Sequence, residues 1–258
     1  MAVNEDTHGV AVVTGASRGI GAAIAERLAA DGLAVACAAT SASNVAEVVK
    51  RIKSECGVDA LGLEIRVEDP ASVEAGLALV EDELGPISVM VNNAGVSGVV
   101  PFLEMPLEQF DRVIDINLRG VFICAQSAAR RMVASGTRGS IVNIGSIAGV
   151  NGFPKRMGYA ASKAAVHHMT KVMAIDLATH GIRVNCVAPG YIRTDMVEDL
   201  IGSGTLDVNQ LERRIPLSQL GTVDDVAAAV AWVSSTQASY VTGATFMIDG
   251  GWAAYGHV

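Results

Sequence analysis

Lysine- or arginine-rich runs are missing from this chain of 258 residues, whose formal net charge is −8. It offers no basic stripe of the kind that nucleic-acid binding needs. The four cysteines (Cys37, Cys56, Cys124, Cys186) are scattered, with no C-x-x-C pair and no metal-ligand spacing. Packed, reduced thiols are therefore expected, and a metal site is not. No apolar run reaches the roughly 20 residues that span a bilayer. The first eight residues have neither the basic nor the apolar segment of a secretory signal. A soluble, cytoplasmic protein is the expectation. Linkers, low-complexity tracts and internal repeats are also lacking, which predicts one domain over residues 1–258. What is present is a 50% hydrophobic composition with 27 glycines and only 18% charged residues. That suits a well-buried core and argues against disorder.

Short apolar runs alternate with longer amphipathic stretches from end to end. Val10–Val13, Leu33–Ala39, Ala60–Ile65, Ser88–Val91, Ser140–Ile144 and Ile182–Val187 read as strands. Helical patterns follow Gly19, cover about 44–55, start at Pro70, and run over about 107–135 and 157–180. This alternation predicts an α/β, doubly wound parallel sheet of about seven strands with helices on both faces. Residues 194–216 form a polar, glycine-containing excursion after the sixth strand and read as a substrate lid or loop.

The chemistry concentrates in Tyr159-Ala160-Ala161-Ser162-Lys163, with Ser146 thirteen positions before the tyrosine. Positions i and i+4 share a helix face, so Tyr159 and Lys163 project to one side. A phenol is a poor base near neutrality, with an ordinary pKa of about 10, and a neighbouring ammonium favours its ionised form. A serine hydroxyl within reach can hold a carbonyl or alcohol oxygen. Together these residues make a proton-transfer device for an alcohol/ketone pair, which needs a redox cofactor to be useful.

The first strand supplies a place for one. Val10–Val13 leads into Thr14-Gly15-Ala16-Ser17-Arg18-Gly19-Ile20-Gly21 and then a helix. Glycines permit a tight turn, and a helix N-terminus offers free N–H groups to phosphate. An acid at the end of the second strand would bond the ribose 2′-hydroxyl of NAD and repel a 2′-phosphate. Here that position reads Ala38-Ala39-Thr40-Ser41, without an acid. Arg18 can supply charge to a phosphate, with Ser17, Thr40 and Ser41 as donors. NADP(H) is favoured, with NAD(H) as the alternative.

With Thr14–Gly21, Asn92-Asn93-Ala94-Gly95, Asn117, Ser146 and Tyr159–Lys163 in order, the chain resembles the classical short-chain dehydrogenases/reductases. The resemblance runs through Pro189-Gly190-Tyr191-Ile192-Arg193-Thr194 to Ile248-Asp249-Gly250-Gly251. It implies a Rossmann fold and a catalytic set of Asn117, Ser146, Tyr159 and Lys163. It further implies that Gly15, Ser17, Arg18, Gly19, Ile20 and Gly21 cradle the cofactor. Asn93, Val67, Ile192 and Thr194 would add contacts, and Tyr159 and Lys163 would bond the nicotinamide ribose. Asn117 would hold a water linking Lys163 to solvent. One departure is Arg66, where the family commonly has an Asp or Asn that bonds the adenine.

Several segments look most like the 3-oxoacyl-[acyl-carrier-protein] reductases of that family. The resemblance then implies an acyl-thioester or other small-molecule substrate, and Arg130, Arg131, Arg138 and His180 are candidates for docking an acidic carrier protein near the site mouth. The closing Gly250–Gly256 is also similar to family members acting on polyols and cyclic alcohols. A catalytically silent NADP-binding regulator is the remote alternative. Val96, Ile147, Val150, Phe153, Met157, Tyr191 and Met196 are expected to wall the pocket. His167 and His168 point to different helix faces, which disfavours a metal pair. The family is commonly tetrameric, and a homotetramer through the apolar 107–135 and 157–180 helices is expected.

Overall fold

The computed structural model describes residues 9–202 and 206–256. Seven strands form one sheet: β1 (Val10–Thr14), β2 (Ala34–Ala39), β3 (Ala60–Glu64), β4 (Ile87–Asn92), β5 (Ser140–Ile144), β6 (Arg183–Pro189) and β7 (Thr245–Ile248). Their order is β3-β2-β1-β4-β5-β6-β7, and every pair is parallel. Parallel strands need crossovers, and helices supply them: α1 (Gly19–Ala30), α2 (Ala46–Arg51), α3 (Pro70–Leu84), α4 (Leu107–Ile114), α5 (Gly120–Ser135) and α6 (Met157–Leu177). Three more, α7 (Asp195–Gly202), α8 (Val208–Arg214) and α9 (Val223–Ser234), lie between β6 and β7.

The interior strands of the sheet are buried on both faces, which explains why they read as continuous apolar runs. Alternate residues of β1 serve two cores. Ala11 and Val13 pack with α1, α2 and α9, whereas Val10 and Val12 pack with α3 and α5. Elsewhere local chemistry fixes the ends. Pro70 opens α3 behind the Asp69 carboxylate, which accepts from Ala71 N at 3.0 Å. Thr222 and Asp225 cap each other at the start of α9.

The strand order reverses at β1 and β4, so a crevice opens at the carboxyl edge between them, the usual ligand side of such sheets. The glycine turn after β1, Asn92–Gly95 after β4, Ser146 after β5 and the segment after β6 all leave their strands at that edge. Two expectations need correction. The 107–135 helix is interrupted by a π turn at Asp115–Arg119. The 194–216 excursion is not a polar loop. It carries α7 and α8, and Leu211, Ile215 and Leu220 form a small core with Tyr191, Val197, Ile201 and Trp252. Apolar residues at helical spacing were diluted there by charge, which hid the periodicity. Residues 203–205 of that stretch lie outside the described residues, as do 1–8.

Candidate active site

The glycine turn is built to fit tightly against β4. Gly15 and Gly19 take left-handed φ values of 66° and 56°, which glycine adopts without a Cβ penalty. The Asn93 amide donates to Thr14 O at 2.9 Å and Gly15 O at 3.1 Å, and Thr14 Oγ1 accepts from Asn93 N and Ala94 N, both at 3.0 Å. Asn93 thus ties the end of β4 to the turn. Arg18 stands at the N-cap of α1 in extended conformation with no side-chain cap bond, which leaves the first N–H groups of the helix without a capping side chain. Its guanidinium is exposed and makes no ion pair among the described residues. Gly19 lies against Thr194, so the turn and the segment after β6 face each other. Ile20 and Ser17 are half-buried there. At the end of β2, Thr40 is exposed and Ser41 Oγ sits 2.9 Å from Ser43 Oγ. Free helix N–H groups, hydroxyls and a free guanidinium, with no carboxylate at this strand end, fit an anionic nucleotide.

On the β3 side, Val67 is buried and packs on Gly120, while Arg66 is exposed. Ile192 is buried and bridges Gly221.

The second half of the site rises from β5 and α6. Ser146 follows β5 at a short turn, and its Oγ accepts from Ala148 N at 3.1 Å. Tyr159 lies in the first turn of α6, half-buried. Lys163 is 4% exposed, and its Nζ donates to Ile144 O at 2.7 Å and lies 5.7 Å from the Tyr159 ring centre. Among the described residues it has one carbonyl partner and no carboxylate partner, and burying a charge so lightly paired is costly. Asn117 is fully buried in the π turn, a feature frequent at functional sites. Its Oδ1 accepts from Val96 N and its Nδ2 donates to Val96 O, both at 2.8 Å, with a longer bond to Ser162 Oγ. Its side chain therefore holds the chain beyond Gly95.

Three sets of contacts escaped sequence reading. A buried polar chain links β4, β5 and α6: Asn92 donates to Asn143 at 2.8 Å, Asn143 to Thr170 at 2.9 Å, and Thr170 to Val166 O. The signal available was an asparagine inside the apolar β5 run. Next, His167 is buried and His168 exposed. The His167 ring fills the space left by Gly145 and Gly149 on either side of Ser146, and its Nε2 accepts from Ser146 N at 3.4 Å. Last, Trp252 reaches the same edge from behind β7.

The proposed docking patch does not stand at the site mouth. Helices of this fold run back from the carboxyl edge, so the end of α5 and the starts of β5 and β6 lie at the opposite edge. Arg130, Arg131, Arg138 and His180 all belong there, and Arg131 is already paired with Glu74 and Glu81. The cysteines are all free, and burial pushes the Cys37, Cys124 and Cys186 thiols up to about 12, which makes them inert packing groups. No cluster of metal ligands occurs among the described residues.

Burial, reinforced by Lys163 and Lys171, holds the His167 imidazole below its ordinary value. In the unfolded chain it titrates near the ordinary value of about 6.5. Between the folded and unfolded values the unfolded chain binds more protons, so this group makes stability fall as pH drops through that window. Its full contribution is present above the unfolded value. Urea unfolding between pH 7.5 and 5 is expected to show this loss, and His167→Gln to reduce it. An identical slope in that variant would exclude His167 as its source.

Residues 15–253 match the family described as enoyl-(acyl carrier protein) reductase. An uncharacterized short-chain type dehydrogenase/reductase of Sinorhizobium fredii is 42% identical over 94% of the chain, which spans only 43% of that relative. The 3-oxoacyl-[acyl-carrier-protein] reductase FabG of Staphylococcus aureus is 41% identical over 93% of the chain and 96% of its own length. A putative 2-deoxy-D-gluconate 3-dehydrogenase from Agrobacterium tumefaciens, solved with bound NADP, superposes with a TM-score of 0.87. It is 36% identical, covering 96% of this chain and 97% of that one. The chain belongs to the short-chain dehydrogenase/reductase family. It is an NAD(P)-dependent oxidoreductase acting on CH–OH groups, and no described helix is long and apolar enough to cross a membrane.

Proposed function

We propose that this chain reduces a ketone to a secondary alcohol with NADPH, through Ser146, Tyr159 and Lys163. The observation that carries the reading is the buried Lys163, whose Nζ lies 5.7 Å from the Tyr159 ring centre and bonds Ile144 O, two residues before Ser146. A bound nicotinamide cofactor supplies the two electrons and the hydrogen that the carbonyl carbon takes up. Ser146 Oγ orients the carbonyl oxygen. Tyr159 gives that oxygen its proton, and Lys163 stabilises the tyrosinate left behind. In alcohol oxidation Tyr159 takes the proton instead. Asn117 fixes the backbone around Val96, and the π turn that holds it is the place for a water joining Lys163 to solvent.

Gly15, Ser17, Gly19, Ile20 and Gly21 would lie along the phosphates, with Asn93 bracing the turn. Ile192 and Thr194 would meet the nicotinamide end, and the Val67 backbone the adenine. Arg18, Thr40 and Ser41 would take the 2′-phosphate. The preference for NADPH over NADH is expected to exceed about tenfold in kcat/KM and to collapse in Arg18→Ala, since a charge-assisted phosphate contact contributes about 1.5–3 kcal/mol. Equal use of both cofactors by the unaltered protein would reject the NADP assignment.

The relatives named 3-oxoacyl-[acyl-carrier-protein] reductase support a 3-oxoacyl thioester as substrate. A polyol or cyclic alcohol is the second reading, and the aromatic groups described next favour its cyclic member. A homotetramer is supported by exposed apolar residues on α5 and α6, among them Phe122, Val133, Val172 and Ile175.

A further inference from the structure

The connections that leave β5, β6 and β7 each contribute one large ring to the carboxyl edge. Phe153 lies seven residues beyond Ser146 and six before Tyr159. Tyr191 follows the end of β6, and Trp252 follows the end of β7. The three rings touch: Phe153 and Trp252 stack at 6.2 Å between centres, Tyr191 and Trp252 meet at 5.0 Å, and Phe153 meets Tyr191 edge-on at 6.4 Å. Aromatics make up only 4% of the chain, so three in mutual contact beside the Ser146–Tyr159 connection is a concentrated use of them.

Trp252 is also held from behind. The Arg214 guanidinium, at the end of α8, lies 4.6 Å from its ring centre and 5.1 Å from that of Tyr255. Arg214 further donates to Trp252 O at 3.3 Å and Tyr255 O at 2.8 Å. The Asp249 carboxylate accepts from Gly251 N at 2.9 Å and Ala253 N at 2.8 Å, which sets the turn that carries the indole. The ring is fixed on one side, yet Phe153, Tyr191 and Trp252 all stay half-buried.

We propose that Phe153, Tyr191 and Trp252 form a preorganised aromatic wall of the substrate site that selects a compact ring-bearing ketone or alcohol over an open-chain one. A rigid wall at the reaction edge rewards a ligand that presents a broad, stiff C–H face and loses little freedom on binding. A flexible chain of the same carbon count must freeze several torsions to cover the same surface. The inference rests on the Ser146–Tyr159 edge as the carbonyl site, and it deepens the cyclic-alcohol reading against the open-chain thioester.

The test compares cyclohexanone with 2-hexanone, at equal carbon number, with the full chain and saturating NADPH. The ring ketone is expected to have a kcat/KM about tenfold higher, the order that one aromatic contact is worth. Trp252→Leu and Phe153→Leu are expected to erase that advantage through KM, with NADPH binding unchanged. Equal rates for the two ketones, or variants that lower both alike, would overturn the wall. A binding readout separates this from the reaction itself. In Trp232→Phe, Trp252 is the sole tryptophan, and cyclohexanone added to the NADP-loaded protein is expected to change its emission saturably, with 2-hexanone weaker. That response without any turnover would reject the proposed reaction and keep the wall. No ring-selective response would reject the wall whatever the turnover.

Discussion

Replacing Tyr159 by phenylalanine is expected to lower kcat by at least about a thousandfold, within the span attributed to positioned acid–base groups, while NADPH still binds. The substitution removes one oxygen and keeps the ring, so the packing at the start of α6 and the position of Lys163 should persist. Lys163 is anchored independently, through its bond to Ile144 O, and the glycine turn through Asn93. Neither anchor depends on the phenol. Single-turnover kinetics with a fluorescence titration of NADPH separates the two effects. A variant that binds NADPH and still turns over would sink the Tyr159 mechanism. One that loses both would mean the hydroxyl supports the fold of the site.

Six strands were legible as apolar runs, the interior ones β1, β4, β5 and β6 almost wholly buried; β7, half-buried along its length, was not read. Tyr159, Lys163 and Ser146 were legible for a different reason: their relation is local, within one helix and the connection before it. What sequence could not display is partnership across the chain. The bond from Asn92 to Asn143 spans 51 positions and that from Asn117 to Val96 spans 21. No periodicity reports either. The same blindness produced the misplaced docking patch, because a basic residue on α5 looks alike in sequence whichever edge of the sheet its helix ends on. In the 194–216 stretch, charged residues masked two short helices whose apolar side meets Tyr191 and Trp252. His167 shows an intermediate case. Its alternation with His168 was readable, but its place between Gly145 and Gly149 was not.

Gly21→Ala is expected to abolish measurable NADPH binding, a loss of at least about a hundredfold, and to cost about 3 kcal/mol of stability, the upper range for overpacking a well-packed site. A Cβ at position 21 would overlap Gly15 O and the Asn93 amide nitrogen. Neither can yield cheaply. The Gly15 carbonyl belongs to a turn held at φ 66°, and the Asn93 amide is committed to both carbonyls of that turn. Relief would have to come from shifting the start of α1, which carries the N–H groups offered to the phosphates. The added methyl thus acts on binding and on stability through one displacement. Gly152→Ala is the matching control, since nothing lies within 4 Å of a Cβ there and neither quantity should change. Calorimetric titration with NADPH and thermal unfolding of both variants give the answer. If Gly21→Ala binds NADPH as the unaltered chain does, the cofactor does not rest on this turn, and the nucleotide half of the site must be sought elsewhere on the carboxyl edge.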